Sequence, residues 1–263
     1  MYENQSVGRR LRLAHLGRRG GSALLLVPLD HAMSSGPLRS DGDLDALVGT
    51  LAENGADGVV IHKGAVRRIR PGRFRDLSLI VQLNASTRMA ADPDAKYPVA
   101  TVAEALRLGA DAVSVHVNAA SRTEAAQIAH LAAVAEECDR WSVPLLAMIY
   151  VRGPAVRDGL APDLVAHAVA VAAEMGADLV KTALPDDTAA TARIIASAAV
   201  PVLAAGGSPE PGPDAVLGQL ATAMRAGAAG VAVGRLVFTA GDPAAMVRRL
   251  AAVVHDRVLV GAR

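Results

Sequence analysis

Eight short apolar runs alternate with helix-length segments along 263 residues, and a Gly-Ala-Asp signal recurs ahead of every second run. Together these predict an α/β chain folded as one single-domain (β/α)8 (TIM) barrel over residues 1–263. The runs are 24–29, 58–61, 78–83, 112–117, 144–149, 178–181, 201–205 and 230–233. They are brief, mostly β-branched and apolar on both faces, as parallel strands covered by helices must be. Between them, segments such as 43–54, 124–141, 163–175 and 243–257 have helix length. Gly55-Ala56-Asp57, Gly109-Ala110-Asp111, Gly176-Ala177-Asp178 and Gly227-Ala228-Ala229 precede runs two, four, six and eight. A glycine there is the left-handed stop of the preceding helix. An open doubly wound sheet is the alternative reading of the same alternation. No Pro/Gly/Ser-rich linker divides the chain.

Composition narrows the function classes. The chain is 52% hydrophobic but 2% aromatic, so its core is aliphatic. A net charge of +1 and scarce aromatics argue against a nucleic-acid partner. The lone Cys138 excludes an intramolecular disulfide and a Cys-cluster zinc site. No apolar run reaches the ~18 residues of a membrane span, and 24–29 is too short for a signal segment. A soluble cytoplasmic protein without a membrane partner is the expectation. Among 27 basic residues Lys occurs only at Lys63, Lys96 and Lys181. Where a bare positive charge suffices this chain uses Arg, so each lysine raises the question of what an amine supplies.

A barrel places its chemistry at the C-terminal ends of its strands. Those ends carry Asp30-His31, His62-Lys63-Gly64, Asn84, His116 with Asn118, Tyr150 with Arg152, Lys181-Thr182, Gly206-Gly207 and Gly234-Arg235. The opposite ends carry turn residues. Lys181 follows its strand directly and is expected to point inward, where desolvation favours the neutral amine that attacks a carbonyl. Pairing with a carboxylate inside the barrel is the competing reading. Lys63 is the rival, as nucleophile or as a cation that depresses the other amine, and Lys96, in an Asp-Pro-Asp-Ala-Lys loop, reads as structural or as part of the rim. Asp30 and Tyr150 are the acid–base candidates, because imine chemistry must protonate one atom and deprotonate its neighbour. His31, His62 and His116 match no compact metal-ligand spacing and read as hydrogen-bonding histidines, so no metal is expected. Gly206-Gly207 and Gly234-Arg235 offer bare amides and a guanidinium on the last two loops, the usual phosphate position in such barrels. Arg152 can add a second charge.

Val27-Pro28-Leu29-Asp30-His31 followed by Ser35-Gly36-Pro37-Leu38 resembles the opening signature of the DhnA-type class I aldolases. Further matching stretches are His62-Lys63-Gly64, 109–118, 144–148, Leu179-Val180-Lys181-Thr182 and 230–235, so the resemblance spans nearly the whole chain. That group includes archaeal fructose-bisphosphate aldolases and the hept-6-ulosonate synthases, and the likeness is to the second branch. The resemblance implies a metal-independent Schiff-base aldolase with no cofactor other than the covalent imine through Lys181. Asp30 would be the proton acceptor and Tyr150 the proton donor. His31, Ala32, Met33, Ser34, Lys63, His116, Val151, Arg152, Gly206, Gly207, Gly234 and Arg235 would bind the substrates. These would be a phosphorylated ketose, dihydroxyacetone phosphate or a relative, and aspartate semialdehyde, joined into a seven-carbon amino-keto phosphate on the way to aminohydroxybenzoates. A homo-oligomer is implied as well.

The sequence departs from that group at Val151, where Pro is usual, and at Ala183-Leu184-Pro185, where polar or aromatic residues are usual. The 206–213 loop is unusually Pro-rich. Two other readings follow from the same residues. A fructose-bisphosphate aldolase needs a second phosphate site, for which Arg39, Arg67 and Arg68 are available. A non-catalytic sugar-phosphate-binding protein would form no imine.

Overall fold

The computed structural model describes residues 6–17, 23–38, 43–207 and 212–255. Its strands are β1 (Leu24–Pro28), β2 (Gly58–Ile61), β3 (Ser78–Gln82), β4 (Asn84–Ala85), β5 (Tyr97–Pro98), β6 (Ala112–Ala119), β7 (Leu145–Val151), β8 (Leu179–Thr182), β9 (Val202–Ala205) and β10 (Gly230–Ala232). Eight of them close a parallel barrel in the ring order β1-β10-β9-β8-β7-β6-β3-β2. These eight are the predicted runs. The closed ring decides against the open sheet, because β1 pairs with both β2 and β10, leaving no edge.

The helices are α1 (Val7–Leu16), α2 (Ala32–Ser35), α3 (Leu44–Glu53), α4 (Lys63–Val66), α5 (Val102–Arg107), α6 (Glu124–Trp141), α7 (Pro162–Glu174), α8 (Thr188–Ser197), α9 (Pro213–Arg225), α10 (Arg235–Phe238) and α11 (Pro243–His255). Side-chain parity sorts the strands into two apolar layers. Leu25, Val27, Val59, Val81, Val113, Ala147, Val180 and Val231 pack outward against the helices. Leu26, Val60, Ile80, Ala112, Leu146, Leu179, Leu203 and Ala232 fill the barrel interior. Period-two alternation under helices on all sides explains why each strand reads apolar on both faces. Leu16, 1% exposed, joins the interior layer from α1. With Ser78 Oγ donating to His15 O at 3.0 Å, α1 stoppers the N-terminal end of the barrel.

The Gly-Ala-Asp repeat has a second purpose besides stopping helices. Gly55, Gly109, Gly176 and Gly227 take positive φ values of 86 to 108°. The aspartates then clamp the preceding strand. Asp57 accepts from Leu25 N (2.6 Å), Asp111 from Leu79 N (3.0 Å) and Asp178 from Leu145 N (2.8 Å). Each clamp occupies a backbone donor in the first two residues of β1, β3 or β7, which would otherwise lie unpaired at the barrel floor. The fourth copy has Ala229, with no carboxylate to clamp β9; its carbonyl accepts from Leu24 N at 3.0 Å, as the Asp57 carbonyl accepts from Ser78 N at 2.8 Å.

Candidate active site

The C-terminal ends of the strands surround a cavity of about 770 Å3. Asp30, His31, Met33, Ser34, His116, Tyr150, Arg152, Lys181, Gly206, Gly207, Gly234 and Arg235 all line it. Ala32, Val151 and Lys63 do not. Lys63 opens α4, and its ammonium lies 3.1 Å from Glu104 Oε2 of α5, outside the cavity. The sequence reading of Lys63 as a possible nucleophile or substrate contact is corrected: α4 starts at this residue, and Glu104 engages the amine. Arg67 and Arg68 also lie off the cavity, and Arg39 and 208–211 fall outside the described residues.

Lys181 is inward by register. It lies two residues beyond Leu179 of the interior layer and pairs with Met148 of β7 and Leu203 of β9. Its side chain is buried (7% exposed). The hydrogen-bond-range neighbour of its Nζ is Met148 Sδ at 3.8 Å, and among the described residues no carboxylate is in ion-pair reach. The competing reading of a barrel-internal Lys–carboxylate pair therefore fails. The amine stands in the cavity wall with nothing to hold it back from a bound carbonyl.

Asp30 follows β1, and its Oδ1 lies 3.4 Å from His31 Nδ1 without a hydrogen bond between them. Its charge acts on His31, His62, Lys96 and His116, which places this carboxylate at the electrostatic centre of the cavity. Tyr150 is inward on β7, with its ring 5.1 Å from that of His116 at 48°. His116 is part of a buried amide chain. Asn118 Nδ2 donates to Asp94 O at 2.9 Å, which leaves Asn118 Oδ1 as acceptor toward His116 Nε2 at 2.9 Å. Nε2 therefore carries the proton of a neutral imidazole. Gln82 Nε2 donates to Asn84 Oδ1 (2.8 Å), and Asn84 Nδ2 to His116 O (2.8 Å). This chain ties the ends of β3 and β6 together beneath the loop 86–98.

The phosphate-type corner is built from backbone. Arg235 Nη2 donates to Gly207 O at 2.7 Å, joining the loops after β9 and β10. Gly207 has φ +61°, and a Cβ on Gly206 would lie 2.7 Å from Val233 Cγ1. A Cβ on Gly234 would press into the Pro28 carbonyl and come within 2.9 Å of His31 Cε1. Only glycine lets this loop lie against the end of β1, where Asp30 begins.

The histidines carry a pH dependence. Burial holds His31 and His62 below the ordinary imidazole value, against the pull of Asp30. Burial, then the charge of Lys96, pushes His116 down to about 3. The unfolded chain protonates these rings below about pH 6.5, while the folded protein resists. Their contribution is whole above that pH and is lost as pH falls toward 3. Between pH 6.5 and 5 the fall for His116 alone is about 2 kcal/mol. Urea unfolding at pH 7.5 and pH 5 should show the lower midpoint at pH 5, with a shallower difference in His116→Gln. Equal midpoints would contradict it.

Lys96, which the sequence reads as structural or rim, lines the cavity, as do Gln82, Asn84, Ser86, Arg88 and Asp94. Lys96 Nζ donates to Ser86 Oγ (2.7 Å) and Pro93 O (3.2 Å). The antiparallel ribbon of β4 and β5, pairing Asn84 with Pro98 and Ala85 with Tyr97, folds this loop back over the barrel mouth. A two-residue ribbon leaves no periodic trace. The usable signal was the third lysine in an Arg-rich chain. Among the described residues no three His, Cys, Asp or Glu side chains gather as a metal-binding group, and no helix is long and apolar enough to cross a membrane.

Residues 24–240 match the DeoC/LacD family aldolase. The chain belongs to that family. This aldolase is 51% identical over 262 residues to the 2-amino-4,5-dihydroxy-6-oxo-7-(phosphonooxy)heptanoate synthase of Streptomyces griseus, covering 100% of this chain and 96% of that protein. It is 44% identical over 233 residues to the 2-amino-3,7-dideoxy-D-threo-hept-6-ulosonate synthase of Halobacterium salinarum, covering 89% and 87%. Among solved structures it superposes on the Schiff base-forming fructose-1,6-bisphosphate aldolase with TM-score 0.86 and 29% identity, covering 94% of this chain and 100% of that one. An archaeal fructose-1,6-bisphosphate aldolase with its catalytic Lys covalently bound to the carbinolamine intermediate gives TM-score 0.86 and 29% identity, covering 94% and 99%.

Proposed function

We propose that this aldolase joins dihydroxyacetone phosphate to aspartate semialdehyde through an imine on Lys181, giving the seven-carbon amino-keto phosphate. The observation that carries the reading is Lys181 itself: buried, inward and, among the described residues, without a carboxylate partner, in a cavity it shares with Asp30 and Tyr150. The Lys181 amine adds to the ketone carbon, and the carbinolamine loses water to give the protonated imine. Asp30 takes the proton from the neighbouring hydroxymethyl carbon, and the C–H electron pair moves into the enamine. That carbon bonds to the aldehyde carbon, whose oxygen receives a proton from Tyr150. Water then hydrolyses the imine and frees the amine, so all atoms of both substrates end in the product. Gly206, Gly207, Gly234 and Arg235 hold the phosphate through amides and guanidinium. Likeness to the Streptomyces griseus synthase at 51% identity supports these substrates over fructose bisphosphate. The same reading makes the chain one metal-independent catalytic domain, cytoplasmic and homo-oligomeric, which chelator-treated assays and sedimentation check.

The test is reductive trapping. The protein is incubated with dihydroxyacetone phosphate, reduced with borohydride and mapped by mass spectrometry. The adduct is expected on Lys181; an adduct on Lys96 or Lys63, or none in turning-over enzyme, overturns the mechanism. Rates with aspartate semialdehyde and with glyceraldehyde 3-phosphate then decide the acceptor.

A further inference from the structure

Lys96 has no task in the imine chemistry, yet the fold goes to some length to put its amine in the cavity. Two of the three donors of its ammonium are taken by Ser86 Oγ and Pro93 O. The third is unspent, and among the described residues no carboxylate pairs with it. Burial, and then the charge of Arg152, lower its pKa, so the cation is placed where an incoming anion would relieve it. Asp94 is set beside it on the same loop. Its backbone carbonyl is gripped by Asn118 Nδ2 and Gln127 Nε2, each at 2.9 Å, from side chains that are fully buried. Its carboxylate has Asn118 Nδ2 at 3.5 Å and Arg152 Nη1 at 3.9 Å, both too long for strong bonds. One wall of the cavity thus carries two cations and one anion with bonding capacity to spare.

Ring order gives that wall its meaning. The Gly206/Gly207 and Gly234/Arg235 loops follow β9 and β10, and Lys96 and Asp94 lie above β3 and β6, on the far side of the ring. Lys181 on β8 lies between. A chain fixed by phosphate at one end, with its imine carbon next to the phosphate-bearing carbon, runs from Lys181 toward that wall. We propose that Lys96 and Arg152 receive the carboxylate of the acceptor aldehyde and Asp94 its ammonium, forming a zwitterion receptor that selects an α-amino-acid aldehyde. This rests on the aldolase reading above.

The test compares acceptors that lack one group at a time: aspartate semialdehyde, succinate semialdehyde without the ammonium, and propanal without either. In Lys96→Met the ratio of kcat/KM for aspartate semialdehyde over propanal should fall at least tenfold, with Lys96→Arg recovering part of it. In Asp94→Asn the ratio for aspartate semialdehyde over succinate semialdehyde should fall. Unchanged ratios overturn the receptor. A Lys96→Met that slows all three acceptors equally also overturns it, since that is a lysine holding the loop or acting in the chemistry. Borohydride trapping with dihydroxyacetone phosphate alone separates the two layers. A Lys181 adduct in both wild type and Lys96→Met with unchanged ratios sinks only the receptor. No adduct in wild type sinks the aldolase reading beneath it.

Discussion

Lys181→Met is expected to fold normally while losing at least about 10^4-fold in kcat, because the covalent step runs through the amine it removes. The side chain it replaces is buried, with Met148 Sδ as the neighbour in hydrogen-bond range of its amine. An unbranched thioether fills the same slot against Met148 and needs no partner. Replacing a buried polar amine that has no carboxylate partner among the described residues should leave the melting temperature level or higher. Activity, melting temperature and trapping measured on one preparation check this. Residual turnover within tenfold of wild type, in a folded variant, would move the nucleophile elsewhere. Lys63, paired with Glu104 outside the cavity, is poorly placed to take over.

Asp178→Ala is expected to cost about 2–4 kcal/mol of stability, far from the chemistry. Asp178 is 5% exposed and accepts from Leu145 N at 2.8 Å, the first donor of β7. It also faces Arg9 Nη1 at 3.5 Å, and Arg9 is itself nearly buried. Truncation leaves a buried N–H without its acceptor and reduces Arg9 to its contact with Asp139 at 2.7 Å. The loss unpins β7, which carries Tyr150, and loosens α1 at the barrel floor. Against a total of about 5–15 kcal/mol for a typical domain, this is a large share. Urea unfolding should show a lower midpoint with an unchanged slope. A loss under about 0.5 kcal/mol would show that the clamp is redundant.

Much of this was legible in the residues. The eight strands follow from runs of Val, Leu and Ile. Their ends follow from the Gly-Ala-Asp signal, because φ near +90° at a helix stop is a glycine's conformation whatever lies around it. The inward position of Lys181, two residues beyond Leu179, follows from strand parity alone. Three features were not legible. Helix α1 before β1 is held by the barrel floor through Leu16, not by a strong local pattern. The β4–β5 ribbon is two residues on each side and exists because the amide chain through Asn84, His116 and Asn118 folds the loop back. The third is which of Lys63 and Lys96 enters the cavity: the first is drawn off by Glu104, the second brought in by Ser86 and Pro93.

The sequence by itself determined the barrel, the rim that bears the chemistry and the scarcity of lysine that marks it, since periodicity and turn chemistry are local properties. Tertiary structure alone decided that Lys96 rather than Lys63 enters the cavity, that Lys181 has no carboxylate partner among the described residues, and that a cationic and anionic wall stands opposite the glycine corner. Closing a ring brings together residues more than a hundred positions apart, and no spacing along the chain encodes which ends of the ring face each other.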